Sequence, residues 1–91
     1  MNLEALEKNW KARGFSYGVG TIKAGDAVSE AVHESQDELV VMESGEFEYI
    51  LGNERFRNTG LEDVLIPAGT PHTIRNIGAQ DVRIHFGYRD I

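Results

Sequence analysis

The sequence has no cysteine, which removes disulfides, thiolate catalysis and every sulfur-ligated zinc site together. Long apolar runs are also missing. The longest are Leu39–Met42 and Val64–Ile66, against the roughly 20 residues that a helical membrane span needs. The first residues include Glu4 and Glu7 where a secretory signal would place a basic start and an apolar block, so the opening does not read as a signal. Basic residues are the scarcer charge: Lys and Arg total 9 against 15 Asp and Glu, a net charge of −6. That balance opposes nucleic acid and anionic membrane surfaces. A soluble, cytoplasmic protein that takes neither nucleic acid nor membrane as a partner is expected.

The 91 residues suffice for one domain, spanning 1–91, which buries only about 60–65% of the surface its unfolded chain exposes. A helix is expected over residues 2–13. Leu3, Leu6 and Trp10 recur at spacings of three and four, opposite Glu4, Glu7, Lys8 and Lys11. Asn2 is the expected N-cap, and Gly14 stops the helix after Arg13. Beyond Gly14 the period falls to two, and the glycines punctuate short β-like runs over 15–90. Strands are expected at Phe15–Lys23, Glu38–Glu43, Glu46–Leu51, Arg55–Asn58, Asp63–Ile66, His72–Asn76 and Val82–Tyr88. Turns fall at Ser44-Gly45, Gly52-Asn53, Pro67-Ala68-Gly69 and around Gly78. Short strands at this spacing argue for an all-β sandwich or barrel. In the second run Glu38, Val40 and Met42 share one face and Leu39 and Val41 the other, so that strand needs cover on both sides. The second cover is either the helix or another subunit.

The three histidines are His33, His72 and His85. His33 precedes Glu38 by five residues, and His72 follows the turn-forming Pro67-Ala68-Gly69-Thr70-Pro71. Two imidazoles and one carboxylate form a set that holds a non-haem iron with open positions, and they also suit zinc or manganese. Residues near strand starts can face one interior point of a barrel. His85 shares parity with neither Ile84 nor Phe86, so it should point away from the interior and read as a surface or interface histidine. Phe47, Tyr49 and Leu51 share the face that lines the barrel. Trp10 and Phe15 should staple the helix to the sheet, and Asn76 should cap a turn and hold backbone near His72. No serine among Ser16, Ser29, Ser35 and Ser44 has a positioned His–acid pair, and Gly18-Val19-Gly20 lies in a strand, not in a phosphate-cradling loop.

Two longer spacings connect these residues. From Gly25 the chain reads Gly-x5-Ala31-x-His33-x4-Glu38-x6-Gly45, and from Pro67 it reads Pro-x-Gly69-x2-His72-x3-Asn76. They resemble the two motifs of the cupin superfamily, a Gly-x5-His-x-His-x3–4-Glu-x6-Gly stretch and a Gly-x5-Pro-x-Gly-x2-His-x3-Asn stretch. There are two departures. Ala31 stands where the first motif has its first histidine, and Gly60 lies one residue too far from Pro67.

The resemblance implies a cupin-like jelly-roll β-barrel with a short N-terminal α-helix, and a homodimer. It also implies a divalent metal ion (Fe, Zn, Mn or Ni) held by His33, Glu38 and His72, more weakly than in relatives because the ligand at Ala31 is lost. Ala31, Glu34, Gln36, Phe47, Tyr49, Ile74 and Phe86 are the expected pocket residues, with Glu34 and Gln36 placed to compensate for the lost ligand. The activity expected is that of a metal-dependent oxygenase or isomerase acting on a small organic molecule. A non-catalytic ligand- or metal-binding module and a barrel that has lost its metal are the alternatives.

Overall fold

The computed structural model describes residues 2–30, 32–57 and 62–91; Ala31, Asn58 and Gly60, on which the sequence reading drew, lie outside them. The chain opens with helix α1 (Leu3–Ala12). Asn2 Oδ1 accepts the Ala5 N–H at 3.0 Å, satisfying one of the donors that a helix start leaves open. At the other end Gly14 takes φ +86°, and the Phe15 N–H returns to the Trp10 carbonyl at 2.9 Å. Phe15 therefore folds back beside Trp10, and the first strand begins three residues later than expected.

Among the described residues eight strands follow: β1 (Gly18–Ile22), β2 (Ala27–Glu30), β3 (Gln36–Met42), β4 (Phe47–Leu51), β5 (Glu54–Arg57), β6 (Val64–Ile66), β7 (His72–Asn76) and β8 (Val82–Asp90). They form two antiparallel four-stranded sheets with orders β1-β8-β3-β6 and β2-β7-β4-β5, which is jelly-roll topology. Strand β2 was not anticipated. Its pairing with β7, Ala27 opposite Arg75 through Glu30 opposite His72, is long-range and leaves little trace in local pattern.

Alternation along β3 divides the apolar residues into two cores. Val40 and Met42 face the space between the sheets with Ile22, Phe47, Tyr49, Ile66, Ile74, Val82 and Ile84. Leu39 and Val41 face outward and pack with Trp10 and Phe15, flanked by Leu6 and Tyr17. Helix α1 is thus the second cover of β3, and a doubly apolar strand no longer calls for another subunit.

The same cover corrects the reading of His85. The ring does point away from the barrel interior, but it is fully buried. Its Nδ1 is 2.7 Å from Tyr17 Oη, its Nε2 is 3.2 Å from Glu43 Oε2, and Tyr17 stacks on it with centroids 5.7 Å apart. Strand parity predicts the direction of a side chain, whereas what lies over it is decided by a segment 68 residues away. Burial, and then the charge of Glu7, raises the Tyr17 phenol above its ordinary pKa.

Asn76 caps a turn as expected, but at the far end of β7 from His72. Its Nδ2 donates to the Ile22 and Gln80 carbonyls at 3.1 and 2.8 Å, and its Oδ1 accepts the Gly78 N–H at 3.0 Å. A fully buried amide with its groups so used closes one end of the barrel. Among the described residues no helix is long and apolar enough to cross a membrane.

Candidate metal centre

The other end of the barrel is open, and three side chains converge there. Glu38 faces inward from β3, with Ile66 and Tyr88 as its neighbours in register. His72 starts β7 and faces the same interior; both are buried. His33 lies in the segment between β2 and β3, with 29% of its side chain exposed. His72 Nε2 is 3.2 Å and His33 Nε2 3.8 Å from Glu38 Oε1. One ligand atom from each of the three lies within 4.8 Å of the others. Donors bound to a single ion at about 2.1 Å stand about 3.0–3.4 Å apart at octahedral or tetrahedral angles, so small side-chain movements would place all three on one ion.

A second layer holds these groups. His72 Nδ1 donates to the Thr70 carbonyl at 3.2 Å, which turns the Nε2 lone pair toward Glu38 in the tautomer a metal ligand needs. The Pro67–Thr70 turn closes through a bond from the Thr70 N–H to the Pro67 carbonyl, and the Gly69 N–H donates to the His33 carbonyl at 2.8 Å. Asp37 ties the same turn to β3. Its Oδ1 accepts the Ala68 N–H at 2.9 Å and its Oδ2 accepts Arg89 Nη2 at 2.9 Å. The His33 ring meets Tyr88 edge-to-face at 5.2 Å and His72 at 5.5 Å. The two imidazole-bearing segments are therefore connected to each other before any ion arrives.

The Ala68 N–H, and next the Arg89 guanidinium, hold the Asp37 carboxyl below its ordinary pKa. A carboxyl depressed in the folded state stabilises the fold above its unfolded pKa of about 3.9, and the contribution fades as pH falls through the folded value. Asp37→Asn should accordingly lower Tm near neutrality, with the difference from the parent closing as the medium is acidified below the unfolded pKa of about 3.9. Thermal melts across that range check this, and a difference independent of pH would show that the charge of Asp37 is not what secures the turn.

A cavity of about 230 Å³ adjoins the cluster, lined by Glu38 and His72 at one end and otherwise by Gly20, Thr21, Val28, Ile74, Ile84, Phe86 and Tyr88. The family model for the cupin domain matches residues 18–88. The chain belongs to the cupin family. The Streptomyces cyaneus protein named polyketide synthase CurC is 29% identical to this cupin over 69 residues, which are 76% of this chain and 45% of that protein. The cupin domain of Schizosaccharomyces pombe Cnp3 superposes with a TM-score of 0.77 at 22% identity, covering 86% of this chain and 54% of that one. CapF, solved with the inhibitor 3-isopropenyl-tropolone, superposes at 0.71 with 23% identity, over 82% of this chain and 24% of its own. This cupin spans about half or less of each of these proteins, and the structural likenesses speak to fold.

Of the expected pocket residues in this cupin, Ile74 and Phe86 line the cavity. Phe47 and Tyr49 belong to the core deeper in the barrel and do not line it; burial pushes the Tyr49 phenol up to about 12, so it stays neutral. Glu34 is exposed, and Gln36 turns outward to donate to Asp90 Oδ1 at 2.8 Å; neither lines the cavity. Gln36 is the first residue of β3 and is paired in register with Asp90, so its amide is taken up by that neighbour at the rim of the sheet. Ala31 lies outside the described residues. Asp37 and Tyr88 were missed. Tyr88 shares parity with Ile84 and Phe86, a signal already present in the sequence, whereas the role of Asp37 depends on Ala68 and could not be read locally.

Proposed function

We propose that the protein holds one divalent metal ion through His33 Nε2, Glu38 Oε1 and His72 Nε2, and binds a small, flat organic molecule with an oxygen donor in the cavity beside it. The observation that carries this reading is the convergence of three donor atoms from separate elements, with the His72 tautomer set by the Thr70 carbonyl. Two neutral nitrogens and one anionic oxygen suit iron, zinc, manganese or nickel and leave coordination positions open. When bound, such an ion supplies Lewis acidity or an oxygen-binding centre.

The chain's own residues do the rest. Val28, Ile74, Ile84 and Phe86 exclude water, while Thr21 and Tyr88 offer the hydroxyls nearest a ligand. An apolar cavity of roughly 150 Å³ accommodates benzene, so this one takes a single substituted ring. Among the described residues no Lys or Arg lines it, and a ligand with a free carboxylate remote from the metal would have its charge buried unpaired.

An oxygenase or isomerase acting on such a molecule is the activity that fits. A binding module is the second reading, favoured by the lack, among the described residues, of any charged lining residue beyond the ligand set. Elemental analysis after incubation with iron(II), zinc, manganese or nickel should find one equivalent bound, and a protein that retains none would overturn the proposal. Tropolone is a suitable ligand probe, because its ring carries two adjacent oxygens and CapF has been solved with a tropolone inhibitor. Oxygen uptake by the iron-loaded protein with small diketones and phenols separates turnover from binding alone.

The cavity wall allows a sharper test. A Cβ added at Gly18 would lie 2.9 Å from two atoms of the Phe86 ring, forcing that ring into the ligand space. Gly18→Ala should weaken tropolone binding roughly tenfold, about 1.4 kcal/mol, with metal stoichiometry unchanged. Calorimetry in which tropolone binds the variant as tightly as the parent would place the ligand elsewhere.

A further inference from the structure

Charge is distributed unevenly over this acidic chain. Five of its nine Lys and Arg residues (Lys8, Lys11, Arg13, Arg83 and Arg89) are in ion pairs. Of the four that form none among the described residues, three lie on one face. Tyr49, Phe56 and Ile74 point into the barrel, so Arg55, Arg57 and Arg75 project from the outer face of the β2-β7-β4-β5 sheet, and all three are exposed. Glu48 sits between Arg57 and Arg75 in register, yet it forms an ion pair with neither. Ile50 lies between Arg55 and Thr73 in the adjoining row, and Thr73 Oγ1 is 3.2 Å from Ser29 Oγ.

We propose that this face docks an extended acidic segment of a partner polypeptide. Arg55 and Arg57 are two residues apart on one strand, about 6.8 Å, and Arg75 stands two strands away, about 9.6 Å. The first spacing equals that between alternate side chains of an extended chain, so successive same-face carboxylates can each meet a guanidinium while Ile50 receives the apolar part between them. Edge protection does not account for the pattern. Charged side chains keep an edge strand such as β5 from pairing, but Arg75 is on β7, which has neighbours on both sides.

The molecule's overall charge selects among anions. A long polyanion or a lipid surface meets the net −6 of the whole chain, whereas a short segment feels charges only within about 8 Å at physiological salt. The reading is independent of the metal centre, since these arginines project from the opposite side of the sheet.

The probe is a fluorescein-labelled decapeptide of alternating Glu and Thr, with a Lys–Thr peptide and a heparin fragment for comparison. Fluorescence anisotropy should show saturable binding of the acidic peptide alone, weakening roughly tenfold or more as salt rises from about 0.05 to 0.3 M. The triple variant R55E/R57E/R75E should lose binding, while K8E/K11E, altered on the helix, should retain it; circular dichroism checks that both are folded. Binding that survives the triple change within twofold, or no binding by the parent, would overturn the proposal. Tighter capture of heparin would assign the face to a sugar polyanion instead. Self-association in sedimentation that the triple change abolishes would assign it to a second copy.

Discussion

Replacing His33 with alanine should release the metal and leave the protein folded. His33 is the most exposed of the three donors, with 29% of its side chain accessible, against 1% for His72 and 6% for Glu38. Its removal leaves the Glu38–His72 contact in place and opens no cavity in the core. Losing an outer-shell partner alone costs roughly 10–100-fold in metal affinity, so losing a ligand should cost at least about 100-fold. His72→Ala should lose the metal too, but at a price in stability. It removes a buried ring and takes from the Thr70 carbonyl its Nδ1–H donor, a loss of about 1–3 kcal/mol. Metal titration followed by calorimetry, with melting curves of both apoproteins, separates the two effects. A His33→Ala protein that binds metal as tightly as the parent would remove that residue from the site.

The largest loss of stability is expected from Trp10→Ala. The indole is fully buried against Phe15, Leu39 and Val41, and its Nε1–H donates to Asp63 Oδ2 at 3.1 Å. A substitution of this kind costs about 3–5 kcal/mol, a large part of the roughly 5–14 kcal/mol available to a chain of this length. The expected fall in Tm is roughly 15–30 °C. Because Trp10 packs on the outer side of β3, metal uptake measured in the cold should persist. Thermal denaturation showing a loss of only a few degrees would mean that the helix is a minor support for the sheet.

What could be read beforehand follows a physical division. Residues that act through local alternation were legible: Val40 and Met42 inward, Leu39 and Val41 outward, and His85 away from the barrel. The turn residues Gly14, Pro67 and Gly69 marked the reversals correctly, since their backbone preferences are intrinsic. The convergence of His33, Glu38 and His72 was legible only through the spacing of two motifs, because nothing along the chain brings residues 33 and 72 together. What could not be read depends on contacts between distant segments. Strand β2 exists because β7 lies beside it, Asp37 matters because Ala68 comes to it, and His85 is dry because Tyr17 folds over it. Gln36 looked like a pocket residue by proximity, but its amide turned to Asp90 on the neighbouring strand.

Strand β8 lies between β1 and β3 at the centre of its sheet, although it is the last strand in order. Among the described residues strand β1 pairs with β8 alone, so its edge is satisfied only once β8 has been made. Closure of the barrel consequently rests on a pairing of high contact order, and until β8 is in place the unsatisfied edge of β1 is open to chaperones or to aggregation.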